Sequence, residues 1–165
     1  MAETIYGTNV ITGLRATPVS LATPGMAGGR VHKWVDTCEM TAAAAAGSTY
    51  TLAYIPSHAI IYGSSKLHFG DLASTGSPTL DIGVAPLRTG DFTADPDALN
   101  DGIDCATAAG SASLIKSIAN YGKRLWEIAG LTADPKCDMA IYVSLLDAAA
   151  NTGGTLTMEV DYAVD

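Results

Sequence analysis

From Val31 onward, apolar and polar residues alternate in short runs separated by turn-forming clusters. Val35-Asp36-Thr37-Cys38-Glu39-Met40 and Tyr50-Thr51-Leu52-Ala53-Tyr54-Ile55 follow a two-residue period, the mark of a strand with one face on a core. Residues 66–69 alternate up to Gly70, and residues 80–84 up to Pro86; residues 59–62 form a short apolar run closed by Gly63. Residues 125–128 and 139–145 add two more strand-like runs, and residues 156–162 carry the cleanest alternation in the chain. Clusters such as Ala46-Gly47-Ser48, Ser74-Thr75-Gly76-Ser77-Pro78 and Asn151-Thr152-Gly153-Gly154 supply the turns. No helical pattern of about 10–15 residues separates these runs, as a parallel sheet would require. The pattern predicts an all-β fold: an antiparallel sandwich of about eight strands.

Two segments depart from the two-residue period. Asp95-Pro96-Asp97-Ala98-Leu99-Asn100 predicts one short helix, with Asp95 as N-cap and Pro96 at the first helical position. Across residues 113–125, Leu114, Ile115, Ile118 and Leu125 fit a helical spacing that Gly122 interrupts, so strand and helix both stay open there.

The first 33 residues have a different character. Ile5, Tyr6, Val10, Ile11, Leu14, Val19 and Leu21 are scattered among glycines and prolines with no sustained period. Such a stretch cannot build a core, yet a free tail gains nothing from apolar side chains. The expectation is an extended N-terminal arm over residues 1–33, laid on another surface, before a single domain over residues 34–165.

Composition narrows the function. The chain has 165 residues, 48% of them hydrophobic, and a net charge of −8, enough apolar material for one domain to fold without staples. Charge is split unevenly, with a net +2 on residues 1–33 and −10 on the remainder. That balance, with Lys123-Arg124 as the densest basic pair, argues against nucleic acid as a partner. No apolar run approaches the ~20 residues of a membrane span, and no secretory leader is expected from Met-Ala-Glu-Thr-Ile-Tyr. Cys38, Cys105 and Cys137 form neither a zinc pattern nor an even disulfide set and read as small hydrophobes.

Candidate chemistry is sparse. His32, His58 and His68 fall in no recognisable zinc or nucleophile pattern, and no phosphate loop or dinucleotide fingerprint is present. Asp91, Asp95, Asp97, Asp101 and Asp104 form the one acidic concentration. Their spacing lacks the Asp-x-Asp-x-Asp-Gly order of a calcium loop and its closing Glu, so the plain reading is a solvated loop. A weak calcium site, a contact loop or a carboxylate pair acting on a glycosidic bond are the alternatives. Trp34 and Trp126 read as sugar-stacking platforms in a carbohydrate-binding alternative; for Trp126 core packing is the simpler role.

The order of the motifs carries a further signal. Thr51-Leu52-Ala53-Tyr54-Ile55-Pro56-Ser57-His58-Ala59-Ile60-Ile61-Tyr62-Gly63 is followed by Thr79-Leu80-Asp81-Ile82-Gly83 and Asp97-Ala98-Leu99-Asn100-Asp101-Gly102. Then come Lys123-Arg124-Leu125-Trp126-Glu127-Ile128-Ala129-Gly130-Leu131 and Gly154-Thr155-Leu156-Thr157-Met158-Glu159-Val160-Asp161-Tyr162. Over roughly residues 50–162 this order resembles that of tailed-bacteriophage capsid decoration (cement) proteins. The resemblance implies a jelly-roll-like sandwich on the outer head surface, made in the host cytoplasm, with no enzymatic activity and no cofactor. It further implies that the chain braces neighbouring major capsid subunits and associates with copies of itself, as a trimer ahead of a dimer. In that reading Ile5, Tyr6, Val10, Ile11, Leu14, Arg15 and Arg30 of the arm make the capsid or inter-subunit contacts. The competing class is a lectin-like or receptor-binding head fibre.

Overall fold

The computed structural model describes residues 30–40, 44–72, 76–88, 90–150 and 153–164. They form two antiparallel sheets facing each other across one core, as the alternation predicts. Nine strands follow in chain order: β1 (Val31–Met40), β2 (Thr49–Pro56), β3 (Ile60–Ile61), β4 (Lys66–Phe69), β5 (Thr79–Pro86), β6 (Asp95–Asp104), β7 (Gly110–Ser113), β8 (Asp138–Leu146) and β9 (Gly154–Ala163), with a single-turn helix α1 (Leu125–Ile128) before β8. The first sheet has the order β1-β9-β4-β7, with β3 also paired to β9; the second has the order β2-β8-β5-β6.

The core is built from alternate residues of facing strands. Leu156, Met158 and Val160 of β9 and Leu67 of β4 oppose Leu80, Ile82 and Val84 of β5 and Met139, Ile141, Val143 and Leu145 of β8, all fully buried. The intervening residues of β9 turn outward and pair with those of β1. Lys33 Nζ lies 2.8 Å from Glu159 Oε2, Thr37 Oγ1 lies 3.0 Å from Thr157 Oγ1, and Thr155 Oγ1 donates to Glu39 at 2.7 Å. Each burial-exposure alternation therefore matches the register of the pair.

Two expectations are corrected, and a segment left open between strand and helix is decided. Residues 95–100 are not a helix but the first half of β6, paired with β5. Pro96 cannot donate to a ladder, and the register shift between the Val84–Asp95 and Ile82–Asn100 pairs leaves it outside the pairing, so the pairing outweighs the helix-start signal. Residues 125–128 are not a strand but α1, because Leu125 and Ile128, three apart, are both buried and the Arg124 N–H donates to Glu127 Oε2 at 2.8 Å. Residues 113–125 hold neither a long helix nor a long strand. After β7 the chain runs extended, its Leu114 N–H donating to Ser65 O and its Lys116 N–H to Leu99 O, both at 3.0 Å. It then makes a 3-10 turn over Ile118–Asn120, capped by the Ser117 hydroxyl, that leaves Ile118 88% exposed. β7 itself, Gly-Ser-Ala-Ser, offered no apolar period to detect.

The arm residues Ile5, Tyr6, Val10, Ile11, Leu14 and Arg15 lie outside the described residues. Arg30 is exposed, and residues 31–33, placed in the arm by pattern, are the start of β1.

Candidate interaction surfaces

The acidic residues lie along one rim of the second sheet rather than on a single loop. Asp95, Asp97, Asp101 and Asp104 belong to β6, whereas Asp91 precedes it. Asp101 pairs with the Lys116 ammonium, which holds its carboxyl below the usual range. Asp104 is likewise held down by the Thr107 hydroxyl, 2.7 Å away, and by the Ala106 N–H at 2.9 Å. Asp95 goes the other way: partial burial raises its pKa, and a hydrogen bond to the Asp97 carboxyl raises it further. The structure thus brings Asp95 and Asp97 together and engages Asp101 and Asp104 elsewhere. Among the described residues no three His, Cys, Asp or Glu side chains converge into a cation site.

Asp81 was missed as a member of this rim. It is only 8% exposed, and its Oδ1 accepts the Gly102 N–H at 2.7 Å, pinning β6 where Gly102 adopts a φ of +66°. Burial raises its pKa against that hydrogen bond, and Asp101, Asp97 and Asp147 add repulsion. The signal was available in Leu80-Asp81-Ile82, where alternation turns Asp81 off the core face. Tyr142 stands on the same outer face, its phenol raised by burial and by Asp95 and Asp97.

Both tryptophans pack against the core. Trp34 Nε1 donates to the Leu52 carbonyl at 2.8 Å, so this side chain ties β1 to β2 across the sandwich flank. Both rings are half-buried. His32 stacks on Tyr162 with centroids 5.4 Å apart, and His68 lies 4.0 Å from Glu159 on the outer face. Cys105 is buried and Cys38 and Cys137 are half-buried, all three as free thiols.

Among the described residues, two open pockets lie near these groups. One, of about 340 Å³, is lined by Pro56, His58, Asp134, Lys136, Cys137 and Asp138. Its polar groups serve the loop itself, since Asp134 Oδ1 accepts the Ser57 hydroxyl at 2.5 Å and the Lys136 N–H at 2.8 Å. The other, of about 290 Å³, lies between β6 and the 3-10 turn and contains Asp97, Asp101 and Lys116. The first lining includes Cys137 and His58, but burial and the neighbouring Asp91, Asp138 and Asp134 carboxylates raise the Cys137 thiol, which disfavours a thiolate nucleophile there.

No protein-family model matches the sequence, and no curated protein matches it either. Solved structures do. A chain of the capsid asymmetric unit of cyanophage Pam1 is similar at a TM-score of 0.60 and 19% identity, with 91% of this chain and 96% of that chain covered. A chain of the capsid of Ralstonia phage GP4 is similar at a TM-score of 0.63 and 20% identity, with 95% of this chain and 96% of that chain covered. At these identities the likeness shows a shared fold, and that fold is the two-sheet sandwich described above.

Proposed function

We propose that this chain is a structural, non-enzymatic component of a phage particle that binds the outer capsid surface and braces neighbouring major capsid subunits. The observation that carries this reading is the likeness to two chains from phage capsids, which spans nearly the full length of both partners in each comparison. Those chains are therefore of about this size. A protein that binds the assembled shell better than its free subunits stabilises the shell by mass action, and many copies on one lattice add through multivalency. In this reading Ile5, Tyr6, Val10, Ile11 and Leu14 bury apolar area on a neighbour, while Arg15 and Arg30 pair with acidic surface. Copies associate as trimers ahead of dimers, mainly when docked.

The test uses shells that lack the protein. Full-length chain is expected to sediment with them and to raise their disassembly temperature. Deleting residues 1–30 is expected to leave the circular dichroism of the sandwich unchanged and to weaken shell binding at least tenfold, about 1.4 kcal/mol. A full-length chain that neither sediments with shells nor changes their disassembly overturns the proposal. Unchanged binding by the truncated chain moves the contact to the sandwich itself.

A further inference from the structure

Each sheet has two outer strands, and three of the four are blunted against further pairing. β2 breaks register between Thr51 and Ala53 and ends in Pro56. The β5–β6 pairing shifts register twice, and β6 carries Pro96 and four aspartates. β7 is only four residues long. β1 is different: ten residues pair with β9 in one unbroken register, with no proline, glycine or bulge.

Among the described residues, the hydrogen-bond pattern shows which groups of β1 face away from β9. The Asp161 carbonyl accepts the Tyr62 N–H at 2.8 Å and the Thr155 carbonyl accepts the Gly70 N–H at 3.0 Å, so these β9 residues direct their backbone to β3 and β4. In an antiparallel ladder their partners on β1, Lys33 and Glu39, then direct theirs the opposite way. Thr37 confirms the phase, because its N–H turns to Asp36 Oδ1 at 2.8 Å instead of to β9. Val31, Lys33, Val35, Thr37 and Glu39 thus face the rim with their peptide groups, and Val31 and Val35 are 56% and 54% exposed.

We propose that this rim is a strand-acceptor site and that residues 4–12 of a neighbouring copy add to it as a tenth strand. This rests on the reading that copies sit side by side. The segment Thr4-Ile5-Tyr6-Gly7-Thr8-Asn9-Val10-Ile11-Thr12 is uncharged, rich in β-branched residues and nine residues long, about 30 Å when extended, close to the length of β1. Residues 13–30 follow it with Gly13, Pro18, Pro24, Gly25, Gly28 and Gly29, a linker that spans up to about 60 Å. A tight reversal at Gly28-Gly29 would instead set the stretch containing Pro18 and Pro24 against the chain's own β1. Prolines lack the N–H that a ladder needs, so a tight hairpin onto the chain's own β1 is disfavoured, whereas the linker is long enough to carry residues 4–12 to a different copy.

Residue-resolved amide exchange on the full-length chain tests this at low and high protein concentration. The amides of Val31, Lys33 and Val35 and those of residues 4–12 are expected to slow together, by about tenfold or more, as concentration rises. Val35→Pro is expected to abolish that protection, since it removes a rim N–H, while His32, Trp34 and Cys38 stay protected by β9. Three results overturn the proposal: rim amides that exchange freely at every concentration, protection that does not depend on concentration, or protection that survives deletion of residues 1–12. A chain that binds shells while its rim amides stay open removes this inference and leaves the proposed function standing.

Discussion

β1 and β6 are both ten residues long and both form the rim of a sheet, but their sequences handle that position in opposite ways. β6 is irregular where it meets β5 and lined with Asp95, Asp97, Asp101 and Asp104, charges that discourage any further strand. Its first half also crosses close over β5 at Gly83, where a Cβ would lie 2.5 Å from the Asp95 carbonyl oxygen and from Pro96 Cα. β1 keeps perfect register and stabilises itself on its outer face with opposite charges and hydroxyl pairs: Lys33 with Glu159, Thr37 with Thr157, Glu39 with Thr155. A sheet edge closed by repulsion and irregularity needs no partner. An edge left regular has the geometry to accept one.

The sharpest way to break the comparison is at Gly83. A valine there has no room under Asp95 and Pro96, so the crossing strand must lift off β5. Gly83→Val is expected to cost about 3 kcal/mol in denaturant unfolding, as overpacking of a closed contact does. The loss should be local at first: amides of β6 exchange faster while those of β1 and β9 hold. Equal loosening of β1 would show that the two rims are not independent.

The same contrast explains which parts of the fold were legible. Alternation exposes a strand when one face is buried and the other wet, and residues 35–40 and 156–162 meet that condition. Residues 95–100 predict a helix because Asp-Pro-Asp is both a helix-start signal and a device for blunting an edge. Only the partner strand decides between the two, and β5 is about fifteen residues away in sequence. α1 failed in the reverse sense, since a four-residue apolar run does not separate a turn of helix from a strand. The acidic residues were found as a group, but their separation into a coupled pair and two engaged carboxylates depends on Lys116, Thr107 and the backbone of Ala106, which no spacing rule connects. Asp81 became part of that group only through the pairing of β5 with β6.

A smaller effect sharpens the comparison through pH. The Asp95 carboxyl is raised in the folded state by burial and by Asp97, so the native chain binds a proton there more tightly than the unfolded chain. Stability from this site therefore falls as pH rises just past the ordinary carboxylate range, and mild acid tightens β6. Asp95→Asn removes the repulsion at neutral pH and is expected to stabilise the chain by about 0.2–1 kcal/mol, with the falling slope reduced to the share that Asp81 contributes. Unfolding midpoints measured from pH 4 to pH 7, both values spanning the usual carboxylate and neutral ranges, check this; an unchanged slope in the variant would place the titration elsewhere.

The smallest effect is expected on the β1 side, and its sign is opposite. Glu159 is held below the usual carboxylate range by the hydrogen bond from Lys33, 2.8 Å away, and by that ammonium's charge. A depressed folded pKa gives stability that is present at neutral pH and is lost as pH falls through the folded value. Both side chains are substantially exposed, so water and salt screen the pair and the global midpoint should barely move in Lys33→Met. The titration of the Glu159 carboxyl, followed by NMR, should nonetheless shift upward toward its ordinary range in that variant, while Asp95 is unaffected. Added salt should shift Glu159 in the wild-type chain the same way. A Glu159 midpoint indifferent to both would mean that the Lys33–Glu159 pair carries no weight and that backbone register and the Thr37–Thr157 and Thr155–Glu39 hydrogen bonds alone hold the outer face of β1.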